Sequence, residues 1–394
     1  MPSVMTDTVE SYVDYIDDAT WQRLVGALLR SENAEIISRH NDEIFVGVGA
    51  GNHLYRVTGS AETGRRGPVD WTVVIKMLSV DESDFQSIST SQTSWDYWKR
   101  EWHVYQSAWQ QHLAGPLQAP RCIAAGETLT ETDEELAWIA MEDLHALDHR
   151  PWRAAHFRDV ARHLGIFNGE YLVNEPLPTD PWLSRDWLQG WTEQAGPVME
   201  LLPTAADHPV AGQVFTRDMI EDLIQLWDQR QKLYEALDQL PRTLCHNDLF
   251  PRNLFVSGID HPDLSVAIDW AFCGPAPVGQ ELTPLVAATE IFMESRPERW
   301  EDLERDCLDG YAEGLRQAGW DATDEVLVGY LLSTVLRFGI GSVPPLLNLT
   351  LTPPNHDFTE RVFGCTHDET VANAAAFLQF QQRRIHQARA LLGL

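Results

Sequence analysis

The segment LCHNDLFPRNLFV at positions 244–256, with the stretch that follows it, constrains the fold of this chain more than any other feature. After Asn253 the sequence reads LFV, then the turn-rich SGIDHPDLS, then VAI and Asp269. An apolar run, a Gly/Asp/Pro turn and a second apolar run predict a β-hairpin. Because its strands would pair antiparallel, Asn253 before the first strand and Asp269 after the second should lie close together.

These polar residues predict a metal-assisted phosphoryl-transfer site. An amide and a carboxylate, completed by phosphate oxygens and water, are the hard oxygen ligands that Mg²⁺ prefers. Asp248 lies on the loop that enters the hairpin, where a carboxylate can orient an attacking hydroxyl and accept its proton. The alternative is a loop in which Asp248 and Asn253 make only turn hydrogen bonds. The H-x-D-x-x-x-x-N spacing that begins at His246 also occurs by chance, so the prediction depends on the hairpin and on Asp269.

A lysine in the middle of an apolar strand is the second constraining feature. Lys76 lies in the β-branched run WTVVIKML and is one of three lysines in the chain. Burying an ammonium without a partner is costly, so we expect an acid on the following helix to pair with it. Between Tyr97 and Gly115, Glu101 is the acid that the sequence offers. The alternative is a strand-edge lysine whose ammonium reaches water.

Secondary-structure patterns divide the chain into a strand-rich part and a larger helical part. We predict a helical extension at 1–34, a nucleotide-binding lobe at 35–145 with a sheet and a helix, and a helical lobe at 146–394, which is an α+β architecture. A helix predicted over 92–113 carries tryptophans at three- and four-residue steps, as a buried helix face does. The tail after Pro354 carries no recognisable motif. The predicted strands of the first lobe are 44–51, 53–58, 71–78, 121–126 and 136–141.

The residues HNDLFPRN followed by IDW resemble the catalytic segment of the aminoglycoside phosphotransferase and choline kinase superfamily, which is itself similar to segments of protein kinases. The resemblance implies a bilobal protein-kinase-like fold with a small strand-rich lobe and a large helical lobe. It implies transfer of the γ-phosphoryl group of ATP, or of GTP, to a small-molecule hydroxyl. It also implies that Asp248 is the catalytic base, that Asn253 and Asp269 bind Mg²⁺, and that His246 braces the loop.

Two segments of the strand-rich part extend the resemblance. KREWHVYQ followed by APRCIAAGE resembles the family's R-E-x-x-x-Y helix and the strand after it. This implies that Lys76 contacts the nucleotide phosphates and that Glu101 holds Lys76 in place. AWIAMEDLHA looks like the family's hinge, so the backbone of Met141, Glu142 and Leu144 would face the adenine. The alternative is that the two acids of this segment are solvated linker charges.

Three other features complete the candidate site. Gly47, Gly49 and Gly51 fall at the turn before the lysine strand, where a loop covering the nucleotide belongs. A plain hairpin turn explains this G-x-G-x-G spacing as well, and the spacing departs from the G-x-G-x-x-G of protein kinases. GPAPVGQEL resembles the family's G-x-P-x-G-x-D-L segment with Glu281 in place of the usual Asp, and it carries no catalytic prediction. Arg252 is expected to form a structural ion pair rather than to contact phosphate.

The formal net charge of −30 bears on the partners of the protein. Long-range repulsion disfavours nucleic acid and anionic membrane surfaces as partners. The same charge favours a cationic acceptor such as an aminoglycoside, an amino sugar or another amine, although solubility alone explains the charge as well. The sequence shows no signal-peptide pattern and no stretch of about 18 uncharged apolar residues, and its five cysteines are scattered singly. These features predict a cytoplasmic protein with reduced thiols.

Two rival functions share these residues. A protein kinase has the same core, but residues 270–282 lack a Ser, Thr or Tyr that could act as a switch. A helical, Trp-rich stretch between the hinge and His246 also favours the wall of a small-molecule pocket. The other rival is a nucleotide-binding scaffold without activity, which the presence of all five key side chains disfavours. The tryptophans of the inserted stretch are Trp152, Trp182, Trp187 and Trp191.

Overall fold

The strand that carries Lys76 explains why the N-terminal part forms a sheet with two different faces. In the computed structural model this strand spans Val69–Leu78, and its side chains alternate between the faces with a period of two. Val73 and Ile75 are fully buried in an apolar core on one face. Val74 and Lys76 point the other way and line a cleft. One strand therefore supplies both a core face and a functional face.

The structure describes residues 11–44, 52–64, 67–80, 88–110, 113, 115–147, 150–258, 263–321 and 323–394. The described strands are β1 (Glu35–Ile44), β2 (Asn52–Glu62), β3 (Val69–Leu78), β4 (Leu117–Gln118), β5 (Cys122–Leu129), β6 (Glu135–Met141), β7 (Arg242–Cys245), β8 (Leu254–Val256), β9 (Ser265–Ala267) and β10 (Gly274–Pro277). The α-helices are α1 (Asp18–Leu29), α2 (Arg100–Gln106), α3 (Ala154–Val173), α4 (Trp187–Glu193), α5 (Gly196–Met199), α6 (Leu202–Ala205), α7 (Ala211–Val214), α8 (Arg217–Asp238), α9 (Thr289–Ile291), α10 (Trp300–Gln317), α11 (Thr323–Thr334), α12 (Val343–Leu351), α13 (His356–Phe363) and α14 (His367–Leu392). Pro284–Ala288 and Val335–Ile340 are π-helical, and short 3₁₀ turns span Tyr12–Tyr15, His145–Leu147, Pro251–Asn253 and Pro297–Arg299.

The N-terminal lobe is an antiparallel sheet, and helix α1 covers one of its faces. Its described strands run in the order β1-β2-β3-β6-β5. Helix α1 begins with Asp17 as its N-cap, whose side chain accepts the N–H of Thr20. Trp21 and Leu24 of this helix share an apolar core with Trp71 of β3. The helix therefore closes the face of the sheet opposite the cleft.

The helix predicted over 92–113 is wrong in its length, because α2 spans only Arg100–Gln106. The side chain of Arg100 donates to the carbonyl oxygens of Ser94 at 2.5 Å and Trp95 at 2.9 Å. These bonds hold the preceding residues in turns and divert their carbonyl groups from helical bonding. The tryptophans predicted to share one helix face therefore lie partly on a loop.

The C-terminal lobe is built on two helices that approach closely. Helices α3 and α10 pack through small residues, and a Cβ added at Gly165 would lie 2.1 Å from the carbonyl oxygen of Tyr311. The Tyr311 hydroxyl donates to the side-chain oxygen of Asn168 at 2.6 Å, and the Asn168 amide donates to the carbonyl oxygen of Leu244 at 2.8 Å. Leu244 lies on β7. The helix pair therefore anchors the strand that leads into the HND segment.

The predicted α+β fold class with two lobes is confirmed by the sheet of the first part and the helices of the second. The division at 1–34, 35–145 and 146–394 stays a prediction, although α1 packs on the sheet of the second of these parts. Within the described chain, the stretch Asp324–Leu351 is long and apolar enough to cross a membrane, but 89% of its most apolar window is buried inside the protein. Burial of that extent is expected of a core helix.

Candidate active site

A cleft with a volume of about 690 Å³ lies between the sheet and the helical lobe. Strand β3 and the segment after β6 supply one wall, and the loop after β7 and the β8–β9 hairpin supply the floor. Polar side chains predicted from the sequence meet in it from both lobes. Those that line it are Lys76, Glu101, Glu142, Asp248, Asn253 and Asp269.

Lys76 joins the two lobes through two carboxylates. Its Nζ lies 2.5 Å from Oε2 of Glu101 and 2.8 Å from Oδ1 of Asp269. The lysine side chain is 9% exposed and that of Glu101 is 1% exposed. Burial alone would lower the pKa of Lys76, but the carboxylates of Asp269 and Glu101 outweigh burial and raise it. The ammonium therefore stays charged.

Glu101 fixes more than the lysine. Its other oxygen, Oε1, accepts the backbone N–H of Trp270 at 3.3 Å. Trp270 directly follows Asp269, whose backbone has a positive φ of 67°. Partial burial acts to raise the pKa of Asp269, but the Lys76 ammonium outweighs it and holds the pKa below its ordinary value. Asp269 is therefore an ionised carboxylate in a fixed backbone conformation.

The β8–β9 hairpin brings Asn253 to the same end as Asp269. Leu254 pairs with Ala267, and the N–H of Ile268 donates to the carbonyl oxygen of Asn253 at 3.0 Å. The side-chain amide of Asn253 donates to Oδ2 of Asp248 at 3.1 Å and to the Asp248 carbonyl oxygen at 3.0 Å. Since its nitrogen is committed to Asp248, the amide oxygen of Asn253 is the atom left to bind a cation.

These residues fit a magnesium ion that shares its ligands with a nucleotide. The described residues contain no group of three or more His, Cys, Asp or Glu side chains that could hold a metal by themselves. Asn253 and Asp269 offer one amide oxygen and one carboxylate. Mg²⁺ is usually held by one or two carboxylates with water and substrate phosphates completing the octahedron. The donor set therefore suits a metal that arrives with nucleotide phosphates.

His246 and Asp248 form the loop between β7 and the hairpin. The His246 ring lies with Nε2 3.0 Å from the carbonyl oxygen of Ile268, and its Nδ1 accepts the Asp248 N–H at 3.3 Å. Burial lowers the pKa of His246 to about 4, so the neutral ring donates from Nε2 and accepts at Nδ1. His246 thus ties the loop to the hairpin strand that precedes Asp269, which is a structural role.

Glu281, for which the sequence carries no catalytic prediction, bonds the backbone of the same loop. Its carboxylate accepts the backbone N–H of His246 at 2.6 Å and that of Asn247 at 3.0 Å. Asn247 has a positive φ of 71°. Burial raises the pKa of Glu281 to about 7, against the hydrogen bonds from those two N–H groups. Two backbone donors on one carboxylate fix the unusual turn that presents Asp248.

Arg252 forms the ion pair that the sequence predicts for it. Its Nε lies 2.8 Å from Oε1 of Glu294, and its Nη2 donates to the carbonyl oxygen of Val362 at 2.9 Å. The guanidinium also lies over the ring of Phe292, 4.4 Å from its centre. Arg252 therefore joins the floor of the cleft to helix α13.

The remaining site predictions have different outcomes. Gly47, Gly49 and Gly51 lie outside the described residues. Met141, Glu142 and Leu144 line the cleft. Oε1 of Glu142 accepts the backbone N–H of Arg121 at 2.7 Å, so this acid is bonded to a neighbouring segment. The adenine contacts of this segment stay a prediction.

The Trp-rich insert does not wall the cleft as predicted, since none of the described lining residues lies between 151 and 243. Its Trp182 stacks instead on His103 of α2, with ring centroids 5.5 Å apart. Trp187 stacks on Trp191 with ring centroids 6.1 Å apart and contacts Phe272 at 5.3 Å. The wall on the Asp248 side comes instead from the loop before α2, from three phenylalanines and from α13. The residues concerned are Trp95, Asp96, Tyr97, Trp98, Phe250, Phe272, Phe292, Arg361 and Val362.

Sequence reasoning missed Arg337, whose guanidinium forms an ion pair with Asp248. It lies in a long apolar run, between Val326 and Leu351, in which it is the only charged residue of the sequence. Burying such a residue without a partner is costly. The argument that identified Lys76 therefore applied to Arg337 as well, but nothing in the sequence indicated which acid it would meet.

Sheet, hairpin and cleft together define the protein-kinase-like class of folds. Residues 99–326 match the family model of the phosphotransferase enzyme family, APH. This match covers more than half of the chain, and the protein therefore belongs to that family. No curated protein sequence matches the chain.

Solved structures with the same fold include two named kinases. A microcompartment-associated aminopropanol kinase has a TM-score of 0.56 and 13% identity, and the match covers 94% of this chain and 98% of that chain. The amicoumacin kinase hAmiN, in complex with AMP-PNP, Ca²⁺ and Ami, has a TM-score of 0.50 and 13% identity over 95% of this chain and 98% of that chain. At these identities the similarity establishes the fold.

Proposed function

We propose that the protein is an ATP-dependent phosphotransferase that moves the γ-phosphoryl group to a hydroxyl of a small molecule. One observation carries the proposal: a charged lysine, an ionised aspartate, an amide and a second aspartate meet in one cleft between two lobes. Phosphoryl transfer requires positioning and charge stabilisation more than covalent chemistry. A set of fixed charges at the contact of two lobes is suited to that task.

Asp248 is the proposed catalytic base. It lines the cleft, and its side chain is 16% exposed, so an acceptor can reach it. Burial raises the pKa of Asp248, against the neighbouring Arg337 guanidinium, which lowers it. The Arg337 guanidinium and the Asn253 amide, one at each oxygen, favour the ionised carboxylate, which can orient the acceptor hydroxyl and take its proton.

Lys76 is the proposed phosphate-binding residue, with Glu101 holding it in place. Asn253 and Asp269 would hold Mg²⁺, which supplies charge neutralisation at the phosphates when bound. Asp269 pairs with Lys76 in this structure. A divalent cation at Asp269 would replace the charge that Lys76 provides there, which would let the lysine turn to the nucleotide while Glu101 still anchors it.

The choice of nucleotide and acceptor is a further part of the proposal. An adenine nucleotide is supported by the AMP-PNP in the amicoumacin kinase structure. A hydroxylated amine is supported by the net charge of −30 and by the aminopropanol kinase of similar fold. A protein acceptor is less suited to a cleft bounded by α13 and the loop before α2. The cytoplasmic location stays a prediction.

The test is a phosphorylation panel with the purified protein. Mg-ATP or Mg-GTP is supplied with hydroxylated amines, amino sugars, neutral sugars and macrolides, and nucleoside diphosphate release and phosphorylated product are measured together. We expect product from at least one amine, with loss of turnover in Asp248→Asn. Steering by charge would make the apparent affinity for amines fall with added salt. Absence of phosphorylated product with every acceptor would refute the proposed function, product formed equally well by Asp248→Asn would exclude Asp248 as the base, and phosphorylation of neutral compounds alone would refute only the cationic acceptor.

A further inference from the structure

Arg337 lies directly behind the proposed catalytic base. It belongs to the π-helical segment Val335–Ile340, and its side chain is 9% exposed. Its Nη2 pairs with Oδ1 of Asp248, and its Nη1 donates to the carbonyl oxygen of Asn247 at 2.6 Å. One guanidinium therefore holds both the carboxylate of Asp248 and the backbone that precedes it.

Aromatic rings hold the guanidinium itself. Its Cζ lies 4.4 Å from the centre of the Trp187 ring and 4.9 Å from that of Phe338. Trp187 is in turn stacked on Trp191. A planar guanidinium on aromatic faces gains cation–π attraction and loses little further freedom when it forms its hydrogen bonds. Arg337 is therefore a rigid donor.

The carboxylate of Asp248 is bonded at both oxygens. Oδ1 pairs with Arg337, and Oδ2 accepts the Asn253 amide at 3.1 Å. Two donors on a planar carboxylate prevent its rotation about the last side-chain bond. Because an ionised carboxylate has about four acceptor sites, further lone pairs remain for an acceptor hydroxyl, and their direction is fixed. Proton transfer requires a carboxylate lone pair that points at the acceptor hydroxyl, because the two oxygens must approach to roughly 3 Å.

We propose that Arg337 is a positioning residue that fixes the Asp248 carboxylate in the orientation that takes the proton of the acceptor hydroxyl. The inference rests on the proposed phosphotransferase function. The competing explanation is a buried ion pair that only stabilises the helical lobe. Arg230 provides a matched control, because it pairs with Glu193 at 2.8 Å and its Cζ lies 3.7 Å from the Trp227 ring centre, yet it does not line the described cleft.

The test is a mutant cycle between Arg337 and Asp248. Arg337→Met and Arg337→Lys are made in the wild type and in Asp248→Asn, and kcat is measured with the best acceptor or with water as acceptor. We expect Arg337→Met to lower kcat by roughly 10- to 100-fold, the scale of a small misplacement of a reacting group. The nucleotide Kd should stay within about twofold, since Arg337 bonds Asp248 and Asn247 and does not line the described cleft. Arg337→Lys, which keeps the charge, should lose less.

The Asp248→Asn background separates positioning from stability. There the effect of Arg337→Met on kcat should shrink to about twofold or less, because the carboxylate to be positioned is gone. Arg230→Met should leave kcat per folded molecule unchanged while lowering Tm.

Several results would overturn the proposal. Equal losses of kcat in both backgrounds would give Arg337 a structural role, and a wild-type kcat in Arg337→Met would remove it from the mechanism. If Arg337→Met does not fold, the same mutant cycle is measured with Arg337→Lys. A wild-type protein that forms no phosphorylated product would refute the proposed function and this inference together, whereas an active wild type with an additive cycle would refute only the role of Arg337.

Discussion

The Nζ of Lys76 lies 2.8 Å from Oδ1 of Asp269 and so connects the sheet of one lobe to the hairpin of the other. The same nitrogen lies 2.5 Å from Oε2 of Glu101. One ammonium thus neutralises two carboxylates, one of them almost completely buried. Because removing one partner of a buried ion pair leaves an uncompensated charge, these three residues should behave as a unit.

We expect Lys76→Met to reduce turnover severely and Glu101→Gln to reduce it less, because the glutamate acts by positioning the lysine. The two losses should not add, since the double variant has no lysine left to position. Turnover measured in all four proteins gives the coupling. Lys232→Met, at an exposed position on α8, is the matched control. Strictly additive losses would mean that the contact has no part in catalysis.

Asp248→Asn should lower kcat by roughly 10² to 10⁴, the range expected when a general base is lost. The amide keeps the size of the side chain and an oxygen that can accept a bond from Arg337, so the nucleotide Kd should be nearly unchanged. Steady-state kinetics and a nucleotide titration of the same preparation test both statements. Asp207→Asn alters an aspartate that is 72% exposed and should have no effect. Near-normal turnover in Asp248→Asn would exclude this residue as the base.

Asp269→Ala should abolish magnesium-dependent nucleotide binding, because it removes the only proposed carboxylate ligand of the metal. EDTA should have the same effect on the wild type, reversed by excess Mg²⁺. Calorimetric titration of nucleotide with and without Mg²⁺ distinguishes metal-dependent from metal-independent nucleotide binding. Nucleotide binding that survives both EDTA and the substitution would mean that the metal site is wrongly assigned.

Glu281→Gln should loosen the turn that presents Asp248. The carboxylate accepts two backbone N–H groups, whereas an amide would turn its own donors toward one of them. Leaving a buried donor unsatisfied costs about 1 to 3 kcal/mol, so both the free energy of unfolding and kcat should fall. Urea unfolding and turnover check this expectation, with the exposed Glu235→Gln as the control. An unchanged kcat would show that the turn does not depend on this carboxylate.

The buried His163 should make the stability of the protein depend on pH. Its Nδ1 lies 2.9 Å from Oγ of Ser265, and burial, with Arg162, lowers the pKa of His163 to about 4. The unfolded chain keeps a histidine pKa of about 6.5 and so takes up a proton first as pH falls. The stability from the neutral ring is therefore complete above pH 6.5 and is lost toward pH 4, by about 3 kcal/mol in total.

Urea unfolding between pH 7 and pH 4.5 measures this loss. His163→Gln removes the titrating group, so its free energy of unfolding should fall less with acidification than that of the wild type. His40→Gln, at a side chain that is 74% exposed, is the matched control. Parallel pH profiles of the wild type and His163→Gln would contradict the prediction.

Local patterns gave the fold class and the residues that the two-lobed cleft brings together. The strand, turn and strand around 254–267 and the lone Lys76 in an apolar run both rest on short-range rules, namely strand periodicity and the cost of burying a charge. These rules hold wherever the segment lies in the fold. They could therefore be applied without knowing which surfaces the helical lobe would present.

The features that the sequence did not predict correctly depend on contacts between distant segments. The length of α2 is decided by Arg100, whose bonds to the carbonyls of Ser94 and Trp95 compete with the helix. The tryptophans of the insert have the same apolar character whether they face a ligand or a core, so composition could not place them. Arg361 reaches the cleft only because α13 folds back onto it, and no local pattern encodes that return.

Helix α13 and Arg337 determine when, during synthesis of the chain, the cleft can be completed. Val362 accepts a hydrogen bond from Arg252, and Arg337 pairs with Asp248 across 89 positions of sequence. On the ribosome, the HND loop and the hairpin emerge long before either of these partners. A nascent chain that ends before Arg337 lacks the partner of Asp248, and one that ends before Arg361 lacks part of the cleft wall. Translation must therefore pass the last of these segments before the cleft is complete.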